Sequence, residues 1–280
     1  SATAPQFVFR TGDADPFAGI WFGDDVNPAL VDLDADGDLD LVVGDREGSL
    51  KYYENTGSAR RSHWPHSVDW ANPFEGVTVA GYSAPRFIDL DADGSLDLVV
   101  GDDSGGITFY ENKANAAVAP EFVEIDVGAS PLDFVDVDLY ATAEAYSAPT
   151  LVDYDGDNDL DVVVGHRLYY DLYGDGELST EERSTLVGTD TLFLYENVGS
   201  SVAPAFVQKT GSDPFAFVDA YHSSAASFGD MDKDGDLDLV VGDDMGSILY
   251  YENVGLTAAD YVARQEFASP ASPWPIAAGL

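Results

Sequence analysis

The chain has 280 residues, 52 acidic against 12 basic side chains, a net charge of -40, 45% apolar residues and no cysteine. The apolar fraction suffices for a core and excludes a disordered chain, and the length allows one large repeat domain or two ordinary ones. So acidic a surface repels nucleic acid and anionic lipid, no disulfide staples the fold, and the strand-sized apolar runs are too short to cross a bilayer as helices.

In chain order, an opening Pro5-Gln6-Phe7-Val8 is followed by Pro16-Phe17. Next comes Asp32-Leu33-Asp34-Ala35-Asp36-Gly37-Asp38-Leu39-Asp40, which runs into Leu41-Val42-Val43-Gly44, and then a strand ending Tyr53-Glu54-Asn55. This order returns three times. The acidic loops recur at Asp89 to Asp97, Asp153 to Asp161 and Asp230 to Asp238, and their first aspartates lie 57, 64 and 77 residues apart. Each repeat therefore holds about four short strands with turns, the content of one propeller blade. The expected fold is an all-β β-propeller of four-stranded blades, four in number, forming a single domain over residues 1–280. Its repeat units are 5–57, 62–114, 120–199 and 204–255, with a tail, 256–280, that resembles part of a fifth. We letter the strands A before the acidic loop, B through Val-Val-Gly, C ending Tyr-Glu-Asn, and D at Pro-x-Phe-Val. A ring of four would close with the N-terminal strand near Phe7 and Val8 completing the last blade, in competition with the tail strand after Ala259. The other possibility is a fragment of a larger ring.

The loop spacing carries a specific chemistry. Carboxylates at the first, third, fifth and ninth positions converge on one point and the seventh position adds a backbone carbonyl, which suits Ca2+ and its six to eight hard oxygen ligands. The candidate ligands are Asp32, Asp34, Asp36, Asp38 and Asp40, then Asp89, Asp91, Asp93, Ser95 and Asp97. The third loop offers Asp153, Asp155, Asp157, Asp159 and Asp161, and the fourth Asp230, Asp232, Asp234, Asp236 and Asp238. The sixth position must turn with positive φ, which Gly37, Gly94 and Gly235 allow and which Asn158 tolerates best among other residues.

The third repeat is long because residues 165–190 are inserted between strands B and C. Within them Asp171, Asp175, Glu177 and Glu182 fit an EF-hand loop, with Tyr173 at the third position, normally Asp or Asn. A fifth Ca2+ site is expected there.

Asp-x-Asp-x-Asp-Gly-x-x-Asp-Leu-Val-Val-Gly-Asp, preceded by Ala-Pro and followed by Tyr-Glu-Asn, resembles the FG-GAP/VCBS repeats of integrin-α-type β-propellers over most of residues 5 to 255. The resemblance implies calcium held between the first two strands of each blade, by Asp32, Asp34, Asp36, Asp40 and their counterparts, and ligand binding on the opposite face. Seven residues before each first aspartate stand Asp25, Tyr82, Tyr146 and Ser223, expected on that opposite face together with His166 and His222. Exposed tyrosines there would stack on sugar rings or dock a peptide; as packing, they would plug the channel.

Three functions compete. The first is a secreted or cell-surface, calcium-stabilised binding and adhesion module for carbohydrate or protein, without catalysis. The second is a polysaccharide lyase or hydrolase on the same scaffold, for which His166, His222, Tyr82, Tyr146 and Arg86 would be the candidates although no motif marks them. The third is a spacer in a larger surface protein. Such calcium loops fill at extracellular concentrations, on the order of 0.1 to 1 mM, which favours the secreted or surface location.

Overall fold

The computed structural model describes residues 16, 17, 19–57, 64, 72–114, 120–125, 130–132, 145–168, 192–209, 214, 215, 217, 218, 224–243, 247–254 and 261–267, with backbone alone for 145, 166–168 and 261–267. All regular structure among them is β-strand, arranged in four antiparallel sheets whose strands follow one another in chain order. The first sheet holds β1 (Asn27–Val31), β2 (Asp40–Gly44) and β3 (Leu50–Tyr53). The second holds β4 (Ala84–Ile88), β5 (Asp97–Gly101), β6 (Ile107–Asn112) and β7 (Phe122–Glu124). The third holds β8 (Ala145–Val152), β9 (Asp161–Leu168), β10 (Leu192–Asn197) and β11 (Phe206–Gln208). The fourth holds β12 (Ser224–Gly229), β13 (Asp238–Asp243), β14 (Ile248–Asn253) and β15 (Tyr261–Phe267). The all-β class expected from the sequence is what the chain forms, and three of the four sheets have four strands among the described residues.

Two details of the sheets show how the repeats interlock. The Pro-x-Phe-Val strand that opens one sequence repeat closes the preceding sheet: β7 pairs with β6 and β11 with β10. In addition, the outer edge of the fourth sheet is taken by β15, from the tail, which runs along the whole of β14 from Asn253↔Tyr261 to Ile248↔Phe267. The tail thus completes the fourth sheet, at the edge for which it was expected to compete with the N-terminal strand. A short connection favours it, because closing a hairpin costs far less chain entropy than recruiting the opposite end of the chain. The Pro5 and Pro65 strands lie outside the described residues.

The chain divides into two compact units, one of Gln6–Asp136 with Ser200–Pro204, the other of Ser1–Pro5, Val137–Gly199 and Ala205–Leu280. The Leu41–Val43, Leu98–Val100 and Val162–Val164 runs are buried on both faces, as expected of central strands covered by a neighbouring sheet, while in the fourth sheet Leu239 and Val241 are buried and Val240 is half-buried. The repeated proline-hydrophobic step supplies the plug between sheets. Phe74 is 2% exposed and its ring meets Tyr52 of the first sheet and Phe87 and Phe122 of the second. Phe215, 1% exposed, does the same in the other unit against Tyr154 and Phe228.

Neighbouring sheets also meet through backbone at the glycine of Val-Val-Gly. A Cβ on Gly44 would stand 2.0 Å from the Ser83 carbonyl oxygen, and one on Gly165 would stand 2.0 Å from that of Ser224. Ser83 is fully buried; its Oγ accepts from the Asp45 N–H at 3.0 Å and donates to the Ser49 carbonyl at 2.9 Å. Gly44→Ala is expected to lower unfolding stability by about 1–3 kcal/mol through overpacking. Gly229→Ala, where an added Cβ meets nothing within 4 Å, should stay within about 0.5 kcal/mol of the parent. Denaturant unfolding of the two variants checks this, and equal losses would contradict the packing role.

Candidate metal centres and exposed loop site

Each acidic loop folds on itself through its own carboxylates. In the first, the Asp36 N–H donates to Asp34 Oδ1 at 3.2 Å, the Asp38 N–H to Asp36 Oδ1 at 2.8 Å, and the Gly37 N–H reaches back to Asp32 Oδ2 at 3.1 Å. The back-reaching bond recurs at Gly94 to Asp89 (3.0 Å) and Asn158 to Asp153 (3.2 Å). The sixth residue has positive φ throughout: 93° at Gly37 and Gly94, 71° at Asn158 and 103° at Gly235. A second left-handed position, not foreseen, is the fourth, with φ of 59° at Ala35, 58° at Ala92, 80° at Gly156 and 68° at Lys233. Three of these four are not glycine, so the loops hold backbone conformations that ordinary residues adopt only when the surroundings enforce them.

This folding gathers carboxylate oxygens within 4.8 Å of one another in four clusters: Asp32, Asp34 and Asp36; Asp89, Asp91 and Asp97; Asp153, Asp155 and Asp157; and Asp230, Asp232 and Asp234. Oδ1 of Asp32 and Oδ1 of Asp159 are buried and receive no hydrogen bond among the described residues. Clustered hard oxygens with unfilled lone pairs fit a divalent cation of the Ca2+ kind. The seventh-position residues Asp38, Ser95, Asp159 and Asp236 fall outside these clusters, and the Ser95 hydroxyl donates to the Ala114 carbonyl at 2.8 Å.

The ninth aspartate has a further task. Asp40, Asp97, Asp161 and Asp238 are all buried. One oxygen of each accepts the N–H of the asparagine in Tyr-Glu-Asn: Asn55 at 2.8 Å, Asn112 at 2.9 Å, Asn197 at 2.8 Å and Asn253 at 3.0 Å. The other accepts the N–H of the loop's second residue, at Leu33, Leu90, Tyr154 and Met231. The Tyr52 and Tyr250 hydroxyls also donate to Asp40 and Asp238. Burial raises the carboxyls of Asp97 and Asp161 to about 6, against the pull of these backbone N–H groups.

At the other end of the strands, the first unit brings two of the predicted face residues together. Asp25 and Tyr82 share a register position and both have positive φ, 48° and 47°. Arg46, from the loop between β2 and β3, joins them. Its Nε lies 2.8 Å from Asp25 Oδ2 and donates to the Tyr82 hydroxyl at 3.0 Å, and the guanidinium carbon stands 5.3 Å from the Tyr82 ring centroid. The Tyr82 N–H donates to the Arg46 carbonyl, and the Arg46 N–H to that of Asp24. Trp21, in the same strand-D-to-strand-A connection as Asp25, is 78% exposed. Tyr146 lies in β8 of the other unit, half-buried and paired with Arg167 across the ladder. His166 is placed by backbone alone, opposite Ser147. His222, Ser223 and the EF-hand-like residues Asp171, Asp175, Glu177 and Glu182 lie outside the described residues. Arg46 and Trp21 were missed in the sequence; an isolated basic residue after Val-Val-Gly-Asp, in a chain so acidic, was the available signal for Arg46.

Residues 89–164 match the family model of the FG-GAP-like repeat. That stretch is similar to FG-GAP-like repeats. It contains the second and third acidic loops, and the first and fourth repeat the FG-GAP pattern of aspartates outside it. No curated protein matches the chain. A solved structure of an Agrocybe aegerita lectin, described as recognising non-reducing terminal N-acetylglucosamine, superposes with a TM-score of 0.45 at 15% identity. The superposition covers 90% of this chain and 54% of that one, so the chain spans about half the length of that structure.

The buried aspartates give a stability test. Asp161→Ala removes the acceptor of the Asn197 and Tyr154 N–H groups and is expected to cost about 2–4 kcal/mol in chelator, since each buried donor left unpaired costs roughly 1–3. Exposed Asp157→Ala is expected to leave stability within about 0.5 kcal/mol under the same conditions. Chemical denaturation of both variants reads the difference.

Proposed function

We propose that this chain is a calcium-stabilised β-propeller binding module whose ligand is a carbohydrate. In this reading the four FG-GAP-type sheets are blades of one domain, and Ca2+ occupies the four acidic loops. The insertion adds a fifth site through Asp171, Asp175, Glu177 and Glu182. A location outside the cell or on its surface goes with this reading, because loops of this type fill at extracellular calcium levels.

The observation that carries the binding role is the Asp25–Arg46–Tyr82 cluster. Two non-glycine residues sit in left-handed conformations at the same register position, bridged by a guanidinium at the end of the strands away from the acidic loops. Strain of this kind is maintained where side chains must be presented in a set direction. A tyrosine ring with a cation over one face, and a carboxylate beside it, offers an apolar plate and hydrogen-bonding groups of both signs. That combination suits the apolar face and the hydroxyls of a sugar. Among the described residues no helix is long and apolar enough to cross a membrane, and the net charge disfavours nucleic acid as partner.

The test is incubation with a panel of polysaccharides in calcium, scored for retention of the protein and for shortened or unsaturated products. Retention without products is expected, and Tyr82→Ala is expected to lower it at least about tenfold, the loss of one stacking and hydrogen-bonding anchor. Product formation would instead make the protein an enzyme.

Calcium itself is tested by melting. Each site filled at a hundredfold excess over its Kd adds about 2.7 kcal/mol, and each kcal/mol raises Tm by about 2–4 °C in a domain of this size. An unchanged Tm on adding EDTA would contradict the metal assignment. The gain should also depend on pH. Asp97 and Asp161 stand at about 6 in the metal-free fold, above the ordinary carboxylate value, so their protonation favours that fold as pH falls through this range. Calcium needs the ionised form. The calcium-dependent rise in Tm should therefore be full above that pH and shrink below it.

A further inference from the structure

The fifth position of three acidic loops and the third position of the other are each followed by glycine, giving Asp36-Gly37, Asp93-Gly94, Asp234-Gly235 and Asp155-Gly156. An aspartate before glycine is open to attack on its own side chain. The glycine nitrogen bonds to Cγ, a carboxyl oxygen leaves as water, and the five-membered succinimide that results is reopened by one water. Opening at the main-chain carbonyl leaves the chain running through Cγ, as isoaspartate, while opening at Cγ restores aspartate. Mass and charge are unchanged, and no other reactant is needed. Glycine favours the reaction because no Cβ obstructs its nitrogen.

All eight residues are exposed, so access does not rank the four sites. What ranks them is the attacking N–H. Gly37 N–H donates to Asp32 Oδ2 at 3.1 Å, Gly94 N–H to Asp89 Oδ2 at 3.0 Å and Gly156 N–H to Asp153 Oδ1 at 2.8 Å. A charge-assisted bond of this kind points the nitrogen away from the neighbouring Cγ and opposes loss of its proton. In the fourth loop the bonds to the first aspartate come from other donors: Asp230 Oδ1 accepts from Lys233 N–H at 2.6 Å and Asp234 N–H at 3.1 Å, the latter as Asp89 Oδ1 accepts from Asp93 N–H at 3.0 Å. Among the described residues the Gly235 N–H has no acceptor.

We propose that Asp234-Gly235 is the site at which this protein converts to isoaspartate, and that the first loop aspartate protects the other three sites. Conversion inserts a main-chain methylene at Asp234, whose Oδ1 accepts the Asp236 N–H at 3.0 Å, and so breaks the geometry of the fourth cluster. The modified residue is the substrate of an isoaspartate-specific carboxyl methyltransferase.

The experiment incubates the intact, folded protein in chelator at neutral pH and warm temperature, then maps each site by electron-transfer fragmentation, which distinguishes the two linkages. Isoaspartate is expected at Asp234 about tenfold faster than at Asp36, Asp93 or Asp155, the order of one charge-assisted hydrogen bond on the nucleophile. Asp89→Ala should raise the rate at Asp93 toward that at Asp234, and Asp32→Ala should do the same at Asp36. In urea the rates at all four sites should converge. Similar rates in the folded protein, a faster site elsewhere among the four, or no response at Asp93 and Asp36 in folded variants would overturn the proposal. Labelling by the methyltransferase, lost in Asp234→Glu, gives an independent readout.

Discussion

In each repeat a buried carboxylate is shared between a surface loop and the interior of a sheet. Asp40, Asp97, Asp161 and Asp238 each hold the beginning of their acidic loop with one oxygen and the end of strand C with the other. A buried ion is costly unless its lone pairs are filled, and two backbone N–H groups fill them here. The arrangement ties the loop's conformation to the register of the third strand. A cation gathered by the earlier aspartates would thus act on the sheet through covalent and hydrogen-bonded continuity, in a chain with no disulfide to do that work.

The acidic loops and the blade contacts solve different problems. The loops concentrate negative charge and hold non-glycine residues at positive φ, both unfavourable in isolation. The sheets offset this through apolar burial, with Phe74 and Phe215 inserted between neighbours, and through backbone contact at Gly44 and Gly165. Loop geometry varies while sheet geometry does not. In the fourth loop Asp230 accepts from Lys233 and Asp234 and Gly235 is without a partner among the described residues, yet β12 and β13 pair in the same register as their counterparts.

What could be read in the sequence was mainly local. The acidic loops place carboxylates two residues apart, and the positive φ at the sixth position follows from glycine or asparagine there, so the clustering and the turn were both legible. Tyr-Glu-Asn was visible as a motif, but its purpose was not, because the partner aspartate lies 15 residues away in three repeats and 36 in the third. The tail was recognised as a strand competing with the N-terminal one for the last sheet's edge, but a short edge strand carries no signal for which competitor takes it; β15 pairs with β14. Arg46 was passed over because a single basic residue has no periodicity. The partnership of Asp25 and Tyr82 needed the three-dimensional return of two separate connections to the Arg46 loop.

The coupling between cation site and sheet is tested most directly by amide hydrogen exchange at Asn55, Asn112, Asn197 and Asn253 during a calcium titration. If the ninth aspartate transmits metal binding to strand C, these four amides gain protection together with loop occupancy and exchange only through opening of the sheet. Protection confined to the loops, with the four asparagines indifferent to calcium, would contradict it.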